Sequence, residues 1–385
     1  MTYYAVAYYI VTYLGFLRMS TERYLAFPYA LSGGLVNLLM ELEIRVGLAH
    51  LSGRTLVSPN KMPCQPQWDD HIYKRYRSAT MMDMFDFPVK HISITKLYKT
   101  GFDTLHELDW RGQCASQAYY IHGDESQYDE GIIESFRETR QHQWTLPDND
   151  ADTWVAIVPQ RTFCNYAYFF LAPESMRKNI RTVISRIQPK SHYLNLAKTI
   201  SRDLKRFNAI HVRRGDFKSW WVSKPTPQDI LGNIEQVLNK DKPLVILTDN
   251  SQEDDFFYPI VKAYPNAIFL DTHIEQEYKS QLASLPQQDA TIIALLSLLV
   301  AVDAETFAGS AYSTFTGYIH RRRMLRDKNA PMLFVANPFG DAAKMVNCEF
   351  EPQAEGPFSW NRLGIAHSEE SRANAWYREW PEAAH

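Results

Sequence analysis

The chain has 385 residues, 45% of them hydrophobic and 22% charged, with a formal net charge of -3. It therefore has ample apolar material for a packed core and too little basic excess for a nucleic-acid surface. Cys64, Cys114, Cys164 and Cys348 are too scattered for a zinc site and suit a reducing cytoplasm as well as a pair of disulfides.

Met1–Leu17 is apolar, uncharged and rich in tyrosine. It lacks the basic start and small-residue cleavage site of a secretory signal. It is also short of the roughly 20 apolar residues that a membrane span needs. Met19 is an alternative start, and a soluble, cytoplasmic protein with no stable membrane span is expected. Arg23–Phe27 then reads as a strand, followed by Pro28 and a Ser32-Gly33-Gly34 turn. Leu35, Leu38, Leu39, Leu42, Val46 and Ala49 recur at helical spacing until Gly53, and Thr55–Val57 begins the next strand. Strand, glycine turn, helix and strand form a parallel βαβ unit, the start of a doubly wound α/β sheet. Residues from about Asn60 to Asp152 read as insertions and acceptor-facing loops, Thr153–Val158 as a later strand, and Glu174–Ile187 as a bridging helix.

The second half alternates regularly. Leu194–Leu204 reads as a helix and Phe207–Ile210 as the start of a buried strand. Helix Ile230–Leu238, strand Pro243–Thr248, helix Tyr258–Tyr264 and strand Ala267–Leu270 follow. An almost continuously apolar helix, Thr291–Val302, leads to a last short strand, Thr306–Gly309. This order predicts a second Rossmann-like sheet. Arg321-Arg322-Arg323, with Arg326 and Lys328, reads as a solvated helix end. The tail from Pro352 is expected to pack back on the domains.

Three strand-to-helix turns carry the candidate chemistry. In His211-Val212-Arg213-Arg214-Gly215-Asp216-Phe217, two fixed cations leave the carboxyl end of a strand, where open α/β sheets bind ligands. Arginine's planar donor fork matches phosphate, so a pyrophosphate is the simplest ligand. The competing reading is that Arg213 or Arg214 pairs with Asp216 and pins a loop. Gly33-Gly34-Leu35-Val36-Asn37 is a glycine turn feeding a helix N-terminus, suited to close approach of a bound group. In Phe307–Thr316, Gly309 ends a strand and Ser313-Thr314 opens a helix, where hydroxyls and unpaired N–H groups suit phosphate oxygens; an ordinary N-cap is the alternative. Asp148-Asn149-Asp150 and Asp254-Asp255 read as structural acids, so no metal site is expected.

Taken together, these segments resemble the GDP-fucose O-fucosyltransferase superfamily, which includes thrombospondin-repeat, α1,6- and nodulation-type enzymes. The resemblance is carried by Gly33–Asn37 with its helix, Arg54–Val57, His211–Phe217, Leu244–Asp249 and Phe307–Arg321. It implies a GT-B fold, two Rossmann-like domains facing across a cleft: an acceptor-side domain at 19–188, a nucleotide-sugar-binding domain at 189–345 and a tail at 346–385. It further implies metal-independent, inverting transfer of fucose from GDP-fucose, without a cofactor, to a glycan or protein hydroxyl. Arg213 would hold the β-phosphate, with Asn37 near the sugar. Gly33, Gly34, His211, Arg214, Asp216, Thr248, Asp249, Ser313, Thr314 and Phe315 would line the donor site. The chain also departs from the family. Gly34 occupies the general-base position of the thrombospondin-type enzymes. Ser219, Trp220 and Trp221 stand where the α1,6 enzymes have an acid. Glu41, Glu43, Asp69 and Asp70 qualify as bases only by charge. Ser297 falls near the position of the guanine-contacting aspartate, with Asp289 two turns earlier. Another donor (UDP-rhamnose or GDP-mannose) or a catalytically silent binding protein is the alternative.

Overall fold

The structure, a computed structural model, describes residues 23–26, 34–58, 81–93, 155–157, 179–180, 182–215, 225–249, 254–286, 290–310, 313–327, 329–331 and 333–336. It divides into two compact units, one holding a four-stranded sheet and the other taking in the start of the first helix, as far as Leu39, with the chain from Pro189 and a five-stranded sheet.

In chain order, β1 (Tyr24–Ala26) is followed by α1 (Leu35–Leu51), whose residues from Met40 belong to the first unit, and by β2 (Thr55–Ser58). The helix ends because Gly53 takes φ +60°, a conformation that suits glycine, and the chain reverses there with Arg54 N–H donating to the Ala49 carbonyl at 3.0 Å. Beyond it lie α2 (Met81–Met84), β3 (Phe85–Asp86), β4 (His91–Ser93) and β5 (Val155–Ile157). All pairings of the sheet β4-β2-β1-β5 are parallel. The expected βαβ unit is therefore present. The stretch read as insertion supplies an edge strand, β4, whose three residues His91-Ile92-Ser93 are too short and polar to show a strand period. Glu43, a candidate base only by charge, is buried.

The second unit begins after β6 (Gln188–Pro189) with α3 (Ser191–Leu204) and β7 (Asn208–Val212). Next come α4 (Pro227–Ile234), β8 (Leu244–Thr248), α5 (Asp254–Ala263) and β9 (Ala267–Phe269). Then α6 (Leu270–Glu277), α7 (Lys279–Ala283), α8 (Ala290–Val302), β10 (Thr306–Gly309), α9 (Thr314–Arg326) and β11 (Leu333–Phe334) complete it. The strand order β11-β10-β7-β8-β9 is parallel throughout and places the topological switch between β7 and β10. Alternate residues of β7 serve opposite faces. Ile210 and Val212 join Ile230, Ile234, Phe257 and Ile260 of α4 and α5 in one core cluster. His211 points the other way, to α9. With both faces covered, the strand is buried along its whole length, which is why it reads as apolar.

Two expectations are corrected here. Thr306–Gly309 is not the last strand, since Leu333–Phe334 pairs beyond it. Nor is the arginine run of α9 wholly solvated: Arg321 and Arg323 are each only 8% exposed. Arg323 donates to the carbonyls of Val302, Ala304 and Glu305, tying α9 to the chain entering β10. A guanidinium has five donors, enough to satisfy a group of orphan carbonyls at the end of α8, and that use needs no solvent.

Candidate functional site

Arg213, Arg214 and Gly215 leave β7 together, and Asp249, one residue past β8, holds all three. Its Oδ1 accepts from Arg214 N–H at 2.7 Å and its Oδ2 from Gly215 N–H at 2.9 Å. Arg213 Nε lies 3.1 Å from Oδ2. One carboxylate thus fixes the turn's backbone and aims the side chain of Arg213. Gly215 is required by this closeness, because a Cβ there would lie 2.5 Å from Asp249 Oδ2. The Arg213 side chain stays 27% exposed, so its cation is accessible to a ligand. Arg214 turns instead onto α5, its guanidinium carbon 3.8 Å from the centre of the Phe256 ring.

The turn after β10 is joined to the turn after β7. Ser310 is fully buried; its backbone N–H donates to the His211 carbonyl at 2.8 Å, and its hydroxyl accepts from Arg213 N–H at 2.8 Å. Gly309 lies against Thr316, and a Cβ at 309 would collide with that side chain. Thr316 Oγ1 in turn meets His211 Nδ1 at 2.7 Å, and the Phe315 ring lies 4.9 Å from the imidazole. Burial, and then the neighbouring Arg213 cation, lowers the His211 pKa to about 3, so the ring is neutral at physiological pH.

Ser313 is the N-cap of α9, but its hydroxyl makes no cap hydrogen bond. The first helical bond runs from Gly317 N–H to the Ser313 carbonyl, so the N–H groups of Thr314, Phe315 and Thr316 have no acceptor within the helix. A guanidinium and the positive end of a 13-residue helix therefore emerge from adjacent strands at the sheet's carboxyl edge. Such a site suits a polyanion.

Arg213, Arg214, Thr248, Asp249, Ser313, Thr314 and Phe315 all lie at this edge, on or just beyond β7, β8 and β10. His211 is enclosed beneath it and acts as an internal support of α9. Arg213 forms an ion pair with Asp249. Asn37 is half-buried in the first turn of α1, and Gly34 precedes that helix. Gly33, Asp216, Asp69, Asp70, Ser219, Trp220, Trp221, Asp289 and the four cysteines lie outside the described residues.

Sequence reading missed the part played by Ser310; its only local signal is a serine directly after the glycine that ends β10. Among the described residues, no group of three or more His, Cys, Asp or Glu is placed to hold a metal ion. No described helix is long and apolar enough to cross a membrane.

No protein-family model matches the chain, and no curated protein matches its sequence. Among solved structures, it is similar to the NodZ alpha-1,6-fucosyltransferase soaked with GDP-fucose, at 14% identity and a TM-score of 0.49, over 86% of this chain and 100% of that one. NodZ is also represented by the Bradyrhizobium fucosyltransferase, at 13% identity and a TM-score of 0.48, over 85% of this chain and 98% of that one. A third similar structure is POFUT1 in complex with GDP, at 18% identity and a TM-score of 0.46, over 82% of this chain and 99% of that one.

Proposed function

We propose that the chain is a cytoplasmic glycosyltransferase of the GT-B type, transferring fucose from GDP-fucose to a hydroxyl of a glycan or protein acceptor. The observation that carries this reading is the bond between Ser310 and Arg213, which joins the arginine turn and the α9 N-terminus into one anion-binding edge. As the bond from the sugar's anomeric carbon to the β-phosphate oxygen breaks, negative charge accumulates on the departing diphosphate. A cation already fixed by Asp249 and helix N–H groups already oriented stabilise that charge without rearranging.

In this reading, Arg213 grips the β-phosphate. Ser313, Thr314 and Phe315 supply the second clamp, through hydroxyl and backbone donors. Asn37, with the Gly33-Gly34 turn, serves the sugar side. The guanidinium and the helix end together provide the charge compensation for which other transferases employ a divalent ion, so transfer is metal-independent. The acceptor oxygen attacks the face opposite the leaving diphosphate, which inverts the anomeric configuration. Its proton departs late, to solvent water, because most of the charge in a loose transition state rests on GDP.

The test is GDP release and fucosyl transfer with Arg213→Ala and Arg213→Lys. Both should lose transfer while keeping the native circular dichroism and melting profile, Lys because a point charge does not reproduce a two-pronged fork. Turnover by Arg213→Ala near the native rate would refute the role of the arginine.

A further inference from the structure

Asp271 takes no part in the site as described, yet it stands at the same edge. It lies two residues beyond Phe269, where β9 ends. Phe269 pairs with Ile246, so Asp271 comes near the level of Thr248. It is also close enough to Asp249 for the two carboxylates to repel.

Its carboxyl is deep in the unit but not sealed from solvent. Ser297, a buried hydroxyl on the otherwise apolar α8, donates to Oδ1 at 2.6 Å. That bond fixes the orientation of the carboxylate and leaves Oδ2 without a partner among the described residues. Burial raises the Asp271 pKa to about 6; the Ser297 bond opposes the rise, and Glu275 and Asp249 add to it. A carboxylate this deep is poorly hydrated, so N–H groups that a ligand brings to its second oxygen have little water to displace.

The strand order says which part of a ligand would arrive there. A diphosphate held at the switch between β7 and β10 sends its nucleoside over the neighbouring strands, as in dinucleotide-binding sheets. Here those strands are β8 and then β9. Asp271 follows the second of them, about 9.5 Å or two strand spacings from the strand that delivers Arg213. Asp249, at the end of β8, is already occupied by the arginine turn. Asp271 is the next carboxylate along that path.

We propose that Asp271, oriented by Ser297, reads the nucleobase of the donor and selects guanine. A carboxylate offers acceptors only, so it favours a base with two adjacent N–H donors. Guanine presents N1–H beside its 2-amino group. Uracil and cytosine have no such pair, and adenine shows an acceptor beside its amino group.

The inference rests on the nucleoside-diphosphate reading above, and the experiment separates the two. Calorimetry would measure GDP, IDP, UDP and inorganic pyrophosphate on the native chain, on Asp271→Asn and on Arg213→Ala. GDP should bind about tenfold or more tighter than IDP, which lacks only the 2-amino donor, as expected for one hydrogen bond to a charged group. Asp271→Asn should weaken GDP by at least a similar factor and leave UDP and pyrophosphate unchanged, since its amide brings a donor to a donor. Equal affinity of the native chain for GDP and IDP would overturn the proposal. So would an Asp271→Asn variant that weakens all four ligands equally or none. If that variant does not fold, the GDP and IDP comparison on the native chain decides. Arg213→Ala should weaken all four ligands; if it weakens none, the diphosphate reading itself fails.

Discussion

Replacing Asp249 by Asn should damage catalysis far more than it damages the fold. The carboxylate accepts from two backbone N–H groups at 2.7 and 2.9 Å and from the Nε of Arg213 at 3.1 Å. Asparagine keeps the shape but has one acceptor oxygen. Its amide nitrogen must then face either the Arg214 amide or the pair formed by Gly215 and Arg213. At least one charge-assisted bond is lost and one donor confronts another. Bonds to charged groups contribute about 1.5–3 kcal/mol each, so the turn loses roughly 3 kcal/mol of local order. If that order is what aims Arg213, kcat should fall about 100-fold, at about 1.4 kcal/mol per tenfold. The assay is GDP release and fucosyl transfer over a range of donor concentrations, alongside urea unfolding. The unfolding free energy should fall by no more than those roughly 3 kcal/mol, in a single cooperative transition, because the turn lies at the sheet's edge and not in its core cluster. An Asp249→Asn enzyme whose kcat stays within threefold of the native value would refute the claim that this carboxylate positions the arginine.

Gly309→Ala should destabilise the second unit by about 2 kcal/mol or more, since its Cβ would overlap Thr316 and displace the partner of His211; urea unfolding measures this directly. Acid should destabilise the chain with a slope set by three buried groups. Burial first, and a neighbouring arginine second, holds His211 and His320 at about 3, so between pH 4 and 6 the unfolded state carries two protons that the native state lacks. Asp271, raised to about 6, holds one proton in the native state that the unfolded state has lost. The difference is about one proton, so stability should rise with pH by about 1.4 kcal/mol per unit in that window. His211→Gln removes one of the two histidine terms and should flatten the profile measured by urea unfolding at successive pH values.

The alternation of elements was legible because it is local. The stripe from Leu35 to Ala49, the buried run before His211 and the apolar segment Thr291–Val302 each announce their period within a dozen residues, and each became the expected element. Elements with weaker patterns were not foreseen. The helix α6 buries only Leu270 and Ile274, and β11 is two residues long. The start of α4 is set by chemistry outside the apolar pattern: Thr226 and Asp229 cap each other across Pro227, three residues before the first buried side chain. The arginines of α9 misled for a related reason. Charge on a helix normally means solvent, but Arg323 is bonded to carbonyls that only the folded chain brings within reach.

The site was legible only as separate pieces, because its working bonds join residues far apart in the chain. Arg213 meets Ser310 across 97 positions, His211 meets Thr316 across 105, and Asp249 meets the arginine turn across 34 and 35. The parallel order makes those encounters unavoidable: β7 has β10 on one side and β8 on the other, so every group leaving β7 emerges between the turns that follow its two neighbours. The alternation within β7 then assigns the roles. Ile210 and Val212 are committed to the core under α4 and α5, and His211 is committed to α9. Arg213 is the first side chain past the strand with a charge to offer, and the carboxylate beside it comes from the adjacent strand. A slip of one residue in the register of β7 would exchange His211 with a core aliphatic. The same packing that makes this strand indispensable to the fold therefore fixes the position of its guanidinium.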